Sequence, residues 1–304
     1  MNPRIEQLIK NIENVIIGKH DVIVKILCAM IAGGHVLIED VPGVGKTLLA
    51  ETLAKSVSGS FGRIQFTPDL MPSDVIGYTV IDQKTGASEY RAGAAMCNFL
   101  LADEINRTSP KVQSSLLEAM EELQISVDGI THKLPVPFMT LATQNPIETY
   151  GTYHLPEAQL DRFIMRLSIG YPDRAAEMQM LEKMPHNIEV QSVMTLEEVV
   201  SLREMASRVS VSEQVKAYIL MIVGATRNKQ EIKLGASPRA SIALYRAAQA
   251  MALINNRAFV TPDDVKAMAP SVLGHRVILA AGQNEYMSSE EIIQKILMET
   301  VVPV

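Results

Sequence analysis

Residues 35–47 constrain this chain more than any other stretch. His35-Val36-Leu37-Ile38-Glu39 is a short apolar run, Asp40-Val41-Pro42-Gly43-Val44-Gly45 is a glycine-containing turn, and Lys46-Thr47-Leu48 opens a helix-compatible segment that runs to about 58. An apolar run of five with polar borders reads as a strand buried on both faces. Strand, glycine loop and helix in that order form a phosphate cradle. Glycines let backbone N–H groups turn inward, and the helix N-terminus adds its positive end. Lys46 then reaches the β- and γ-phosphates, and the Thr47 hydroxyl binds Mg²⁺. The strict pattern has glycine in first place. Asp40 stands there instead, while Pro42-Gly43 and Gly45-Lys46-Thr47 remain.

A phosphate loop needs an acidic partner, and Asn98-Phe99-Leu100-Leu101-Ala102-Asp103-Glu104 supplies one. The apolar residues predict a second buried strand with Asp103 emerging at its end. Asp103 positions Mg²⁺, directly or through water, and Glu104 polarises the attacking water as general base.

Further strands are predicted at Phe138–Thr143 and, more weakly, at Arg63–Phe66 and Phe163–Ile169, with helices near 20–32 and 109–122. Such alternation argues for a mostly parallel sheet with helices on both faces. Two stretches depart from it. Tyr78–Ile81 and Ser88–Arg91 flank a polar turn, and Ile125–Val127 and Thr131–Leu134 flank Asp128-Gly129. They read as two hairpins, Asp-Gly being a strong hairpin signal, or else as two surface turns. Beyond Tyr171-Pro172 the pattern is helical throughout. Helix starts are predicted at Thr195…Glu198, Ser210…Glu213, Thr261-Pro262 and Ser288…Glu291. The domain boundary is expected within 172–190, giving a nucleotide-binding unit over 1–180 and a helical unit over 181–304.

Composition narrows the classes. Of 304 residues, 47% are hydrophobic and 20% charged, which excludes a disordered chain. A net charge of −6 without any long basic run argues against a dedicated nucleic-acid binder. Two cysteines outside any paired motif, and six histidines without ligand spacing, predict neither a disulfide framework nor a structural metal. The N-terminus has no signal-peptide pattern and no 18-residue apolar stretch occurs, so the expected address is the cytoplasm without membrane insertion.

With both motifs in place, the chain resembles AAA+ ATPases, specifically the MoxR family. LIEDVPGVGKT (37–47), RIQFTPDLMPSD (63–74), LLADEINR (100–107), LATQNP (141–146), LPEAQLDRF (155–163) and GASPRA (235–240) carry the likeness, with VIIGKHDVI (15–23) also similar. Asp40 looks like the family's own variant. The resemblance implies an AAA+ core followed by an all-α lid, with ATP and Mg²⁺ as cofactors. It gives Asn145 the sensor 1 role, Arg162 that of an arginine finger acting on a neighbour's ATP, and Arg239 that of sensor 2. Taken alone, Asn145 before Pro146 is also a turn, and Arg162 is also a partner for Asp161; Arg166 and Arg107 are the alternative fingers. Ser237-Pro238 places Arg239 in a helix's first turn, where the dipole opposes a cation and a γ-phosphate reached from the lid compensates. Ile16, Ile17 and Gly18 resemble the adenine-contacting segment.

The implied activity is ATP hydrolysis by a homo-oligomeric ring, six-membered in the resemblance. The ring is a chaperone-like remodeller of client proteins, often ones with von Willebrand factor A-type domains. Lys46 and Arg239, on different domains but the same phosphates, then couple hydrolysis to a shift of the lid. In the helicase-like branch the two hairpins face the ring pore. Two other readings are a nucleotide switch without turnover and a nucleic-acid motor. Glu104, Asn145, Arg162 and Arg239 count against the first, and the near-neutral hairpins against the second.

Overall fold

The computed structural model describes residues 1–84, 86–145, 152–183, 189–280 and 287–303. Pro146 and part of the expected boundary, 184–188, lie outside them.

Two helices precede the first strand, α1 (Pro3–Glu13) and α2 (His20–Ile31). Helix α1 buries Ile5, Leu8, Ile9 and Ile12, one stripe at helical spacing. Strand β1 (His35–Glu39), α3 (Lys46–Ser56), β2 (Phe61–Gln65) and the short α4 (Pro72–Ile76) follow. The first hairpin is β3 (Tyr78–Ile81) with β4 (Ser88–Arg91). Strand β5 (Phe99–Asp103) leads through a single 3-10 turn, Ile105–Arg107, into α5 (Pro110–Glu122). The second hairpin is β6 (Gln124–Val127) with β7 (Ile130–Lys133), and β8 (Met139–Gln144) returns to the sheet. After α6 (Glu157–Leu160) comes β9 (Phe163–Leu167), then α7 (Arg174–Lys183).

The main sheet is parallel, in the order β2-β5-β8-β1-β9. Its central strands are almost wholly buried because both faces are covered, whereas the edge strand β2 exposes Arg63 and Gln65. Alternation divides the side chains. Val36, Ile38, Phe99, Leu101 and Leu141 face α1, α2 and α3; Leu37, Leu100, Ala102, Ala142 and Phe163 face α5 and the second hairpin. Both hairpins form where the sequence places them. They are joined by Tyr90 and His132, whose rings stack with centroids 3.8 Å apart.

The remaining elements are α8 (Leu196–Ser207), α9 (Glu213–Asn228), β10 (Ile232–Leu234), α10 (Pro238–Ile254), α11 (Pro262–Leu273), β11 (Ile278–Leu279) and α12 (Ser289–Glu299). Two expectations need correction here. The region is not helical throughout, because β10 and β11 pair antiparallel. Ser210 does not cap a helix: its backbone bonds Ala258 and Val260, and Ser212 is the N-cap, accepting from Val215 N at 3.3 Å. The lid and the nucleotide-binding unit share one core. One buried cluster joins Ile5, Leu27, Val36 and Leu49 to Val199, Leu244, Val265 and Ile293. The proposed division after residue 180 falls inside α7.

Candidate active site

Parallel strands aim their C-terminal ends, and the loops after them, at one edge of the sheet, where ligands of such folds bind. The order β5-β8-β1 therefore brings Asp103 and Glu104, Asn145 and the 40–45 loop side by side. Gly43 (φ +87°) and Gly45 (φ +88°) are left-handed, and nothing lies within 4 Å of the place a Cβ would take at either. That open, glycine-lined cradle fits a phosphate. Lys46 Nζ donates to Asp40 O at 2.7 Å, and burial pulls its ammonium below the ordinary lysine value against the attraction of Asp40, Asp103 and Glu104. A bound polyphosphate would relieve that strain by restoring a counter-charge.

Asp40, the residue that departs from the strict loop pattern, has a structural task. Its Oδ2 accepts from Ile169 N (2.6 Å), Gly170 N (2.7 Å) and Ser168 Oγ (3.2 Å), and its Oδ1 from Val41 N (2.9 Å). The carboxylate sews the phosphate loop to the segment after β9. A glycine would leave two backbone donors there without this acceptor.

The acidic pair is held by residues the sequence reading missed. Thr143 donates its hydroxyl to Asp103 Oδ1 at 2.6 Å and accepts Glu104 N at 2.8 Å. Arg63 donates to Asp103 Oδ2 at 2.9 Å. Glu104 is left-handed (φ +56°), a backbone state uncommon for a glutamate and often met at functional sites. Its Oε2 accepts from Gln65 Nε2 (2.6 Å) and Arg107 Nη1 (2.9 Å). Arg63 and Gln65 share one face of β2, two residues apart, and the register Gln65↔Asp103 puts them beside the acids. Only that two-residue alternation was visible in the sequence. Asn145 is buried at the end of β8. Asp103 and the half-buried Thr47 are not a protein cage, but Mg²⁺ usually keeps waters and takes few protein ligands, so they fit it.

Beside the loop, a cavity of about 200 Å³ is lined by Ile16, Ile17, Val44, Leu48, Ile169 and Met180, with Gly43 and Gly45 at its floor. Its size and apolar walls suit a purine ring. Gly18 adjoins it and lets α7 come close, since a Cβ there would lie 2.6 Å from Ala176 Cβ. Lys19 ties the entry down through Ile169 O (2.7 Å) and Tyr171 O (2.8 Å). Pro42 is exposed.

The two remaining arginines are elsewhere. Arg162 immediately precedes β9, whose Phe163 is level with His35 at the start of β1. It therefore stands at the opposite edge of the sheet from Lys46, at least four strand residues or about 13 Å away. Arg239 is in the first turn of α10, as expected, with Ser237 as N-cap. It does not stand over this chain's own phosphate loop: Arg239 Nη2 bonds Glu121 Oε1 at 2.5 Å, and Arg162 Nη2 bonds Glu121 Oε2 at 3.0 Å. The carboxylate facing the misplaced cation is Glu121. Of the alternative fingers, Arg107 is bound to Glu104 and Arg166 pairs with Glu39 (3.1 Å) and Glu290.

Comparison with known proteins agrees with this architecture. Residues 35–165 match the ATPase family associated with various cellular activities (AAA), and residues 224–296 match the AAA lid domain. The chain is 47% identical to the uncharacterised protein YeaC of Bacillus subtilis, over 100% of this chain and 96% of that one. It is 39% identical to the chaperone MoxR1 of Mycobacterium tuberculosis, over 98% and 82% respectively. A crystal structure from Cytophaga hutchinsonii ascribed to an ATPase superposes with a TM-score of 0.91 at 40% identity, covering 100% of this chain and 96% of that one. With a phosphate loop, an acidic pair and a lid on a five-stranded parallel sheet, the chain belongs to the MoxR family of AAA+ ATPases, enzymes that hydrolyse ATP.

Proposed function

We propose that the chain is one subunit of a ring that hydrolyses Mg-ATP between neighbouring copies and uses the cycle to remodel or mature partner proteins. One observation carries the reading. The phosphate loop, Asp103, Glu104 and Asn145 stand at one edge of the sheet, and Arg162 and Arg239 at the other. A single copy does not bring both sets to one phosphate, whereas head-to-tail copies do.

In this reading Lys46 exchanges the Asp40 carbonyl for phosphate oxygens. Thr47 and Asp103 hold Mg²⁺, which when bound neutralises charge on the β- and γ-phosphates. Glu104, freed from Gln65 and Arg107, takes the proton of the attacking water, and Asn145 orients that water. Arg162 and Arg239 reach in from the adjacent subunit and meet charge developing on the γ-phosphate. ADP and phosphate leave. Ile16, Ile17 and Gly18 seat the base.

Client contact falls to the hairpins, where Tyr78, Ile81 and Ile130 are exposed. Exposed apolar side chains on the hairpin strands suit a polypeptide better than nucleic acid. Clients with von Willebrand factor A-type domains remain the class the family likeness suggests. Among the described residues no helix is long and apolar enough to cross a membrane. Free buried thiols at Cys28 and Cys97 fit a reducing compartment such as the cytoplasm.

The test mixes two inactive variants. Glu104→Gln and Arg162→Ala should each lower turnover about a thousandfold. Equal mixtures should recover activity at about a quarter of the interfaces, where an intact base meets an intact finger. Mixtures as silent as their components would refute action across subunits.

A further inference from the structure

Glu121 holds both arginines at once, and its position is electrostatically unfavourable. It lies in the last turn of α5, where the helix dipole disfavours an acid; Arg239 lies in the first turn of α10, where it disfavours a cation. Each is offset by the other.

The cavity around them, about 240 Å³, has in its lining four guanidinium groups (Arg162, Arg239, Arg246, Arg276) and two carboxylates (Glu121, Asp161). Asp161 is already committed: its Oδ1 takes Arg276 Nε at 2.6 Å and its Oδ2 takes Ser237 Oγ at 2.7 Å. Setting that pair aside leaves three cations to one acid. Arg162 Nε is buried with no hydrogen-bond partner among the described residues. The pocket therefore holds less negative charge than it can accept. Phosphate, with more charge and more acceptor oxygens than a carboxylate, suits it better.

We propose that Glu121 is a resident stand-in for the terminal phosphate of the neighbour's ATP. This rests on the reading that Arg162 and Arg239 serve the adjacent subunit. In the free subunit Glu121 keeps the two guanidinium groups side by side and neutralised. When an ATP-loaded edge docks, the γ-phosphate takes both arginines and Glu121 is released. ADP has no γ-phosphate with which to compete, so the carboxylate recaptures the arginines once phosphate has left. Glu121 thus makes the subunit contact sensitive to which nucleotide the neighbour holds, and it weakens the contact by competition.

The test is self-association, followed by sedimentation velocity over a range of protein concentrations with Mg-ATPγS, with Mg-ADP and without nucleotide. Glu121→Gln should assemble with ATPγS at a protein concentration about three- to tenfold lower than wild type, the range that loss of two competing, partly exposed ion pairs allows. Its preference for ATPγS over ADP should narrow. Glu121→Ala must move in the same direction, which keeps the test open if the amide disturbs folding; Glu121→Asp should stay near wild type. Unchanged assembly in both Gln and Ala variants, or weaker assembly in both, overturns the proposal. Arg162→Ala separates the two ideas. It should lose the ATPγS-driven association. If it assembles as wild type does, the cross-subunit reading itself fails; if it loses assembly while the Glu121 variants do not gain any, only the stand-in fails.

Discussion

Asp40 is a residue at which following the general pattern would damage the protein. Asp40→Gly restores the usual phosphate-loop residue, yet it removes an acceptor from Ile169 N and Gly170 N. The expected loss is about 2–4 kcal/mol of stability, read from denaturant melts, because two largely buried donors lose a charged acceptor. Nucleotide affinity should fall with it, since Ile169 is a wall of the apolar cavity beside the phosphate loop. His35 gives a second residue-scale prediction. Thr140 N donates to its Nδ1 at 3.0 Å, and its Nε2 faces Met120 O at 3.1 Å, so the folded ring is neutral with its proton on Nε2. Burial pulls its pKa from 6.5 to about 4. The unfolded chain therefore binds a proton that the folded one refuses. About 3 kcal/mol of stability is present above pH 6.5 and is lost as pH falls towards 4. Buried His275 is pulled in the same direction. His35→Gln should flatten the dependence of urea midpoints on pH between 6.5 and 4.5; a slope equal to wild type would assign the effect elsewhere. Residue by residue, Lys46, Thr47, Asp103 and Glu104 were legible because strand–loop–helix spacing fixes them. Thr143, Arg63 and Gln65 were not, because what places them beside the acids is strand order, which linear spacing does not encode.

Most elements could be read from local signals. The five strands of the main sheet fall within one or two residues of their apolar runs, and Asp128-Gly129 announces the second hairpin. Strands β10 and β11, three and two residues long, are too short to show a period. Ser210 was expected to start the helix that Ser212 caps, and the bridge between Ser210 and Phe259 places Ser210 outside it. The join between elements depends most on Arg276, which ends the single turn after α11. Its guanidinium bonds Asp161 Oδ1 and O, Phe163 O (2.7 Å), Ile164 O (3.1 Å) and Val272 O, and its side chain is 3% exposed. Burial pulls its pKa below the ordinary arginine value despite Asp161. The same Asp161 bonds the N-cap of α10, so one carboxylate fixes the segments that carry Arg162 and Arg239. Arg276→Met should cost about 3–5 kcal/mol by stranding Asp161. A double variant with Asp161→Asn should recover part of that in thermal melts. If the two losses simply add, the pair is not coupled.

At the scale of the whole molecule, the lid shares its interior with the nucleotide-binding unit. Helices α2, α8 and α10 share buried side chains with the sheet. Sliding the lid would expose Leu27, Leu244 and Val199 together, at about 2 kcal/mol per side chain before any gain. In the proposed ring, rotation of entire subunits about their contacts would serve the nucleotide cycle at a lower cost. Hydrogen exchange with and without Mg-ATPγS tests this: amides of α2 and α10 should open together with one free energy. Independent opening of α10 with α2 unchanged would restore the hinge. The change from strand–helix alternation to a mostly helical pattern predicts two parts to the chain. That the parts share one interior was illegible, because contacts such as that of Cys28 Sγ with Ala247 O join residues more than two hundred positions apart.

The separation of the loop edge from the arginine edge has an arithmetic consequence. In the proposed ring each copy offers one nucleotide and one pair of arginines, facing opposite ways. In any open row of copies the nucleotide at one end goes without arginines, and the arginines at the other end go without a nucleotide. Only a closed circuit leaves neither over. On that proposal, activity per subunit would count the breaks in the assembly: a row of n copies would run n − 1 reactions, and opening one seam would silence one site, wherever in the circle it occurs.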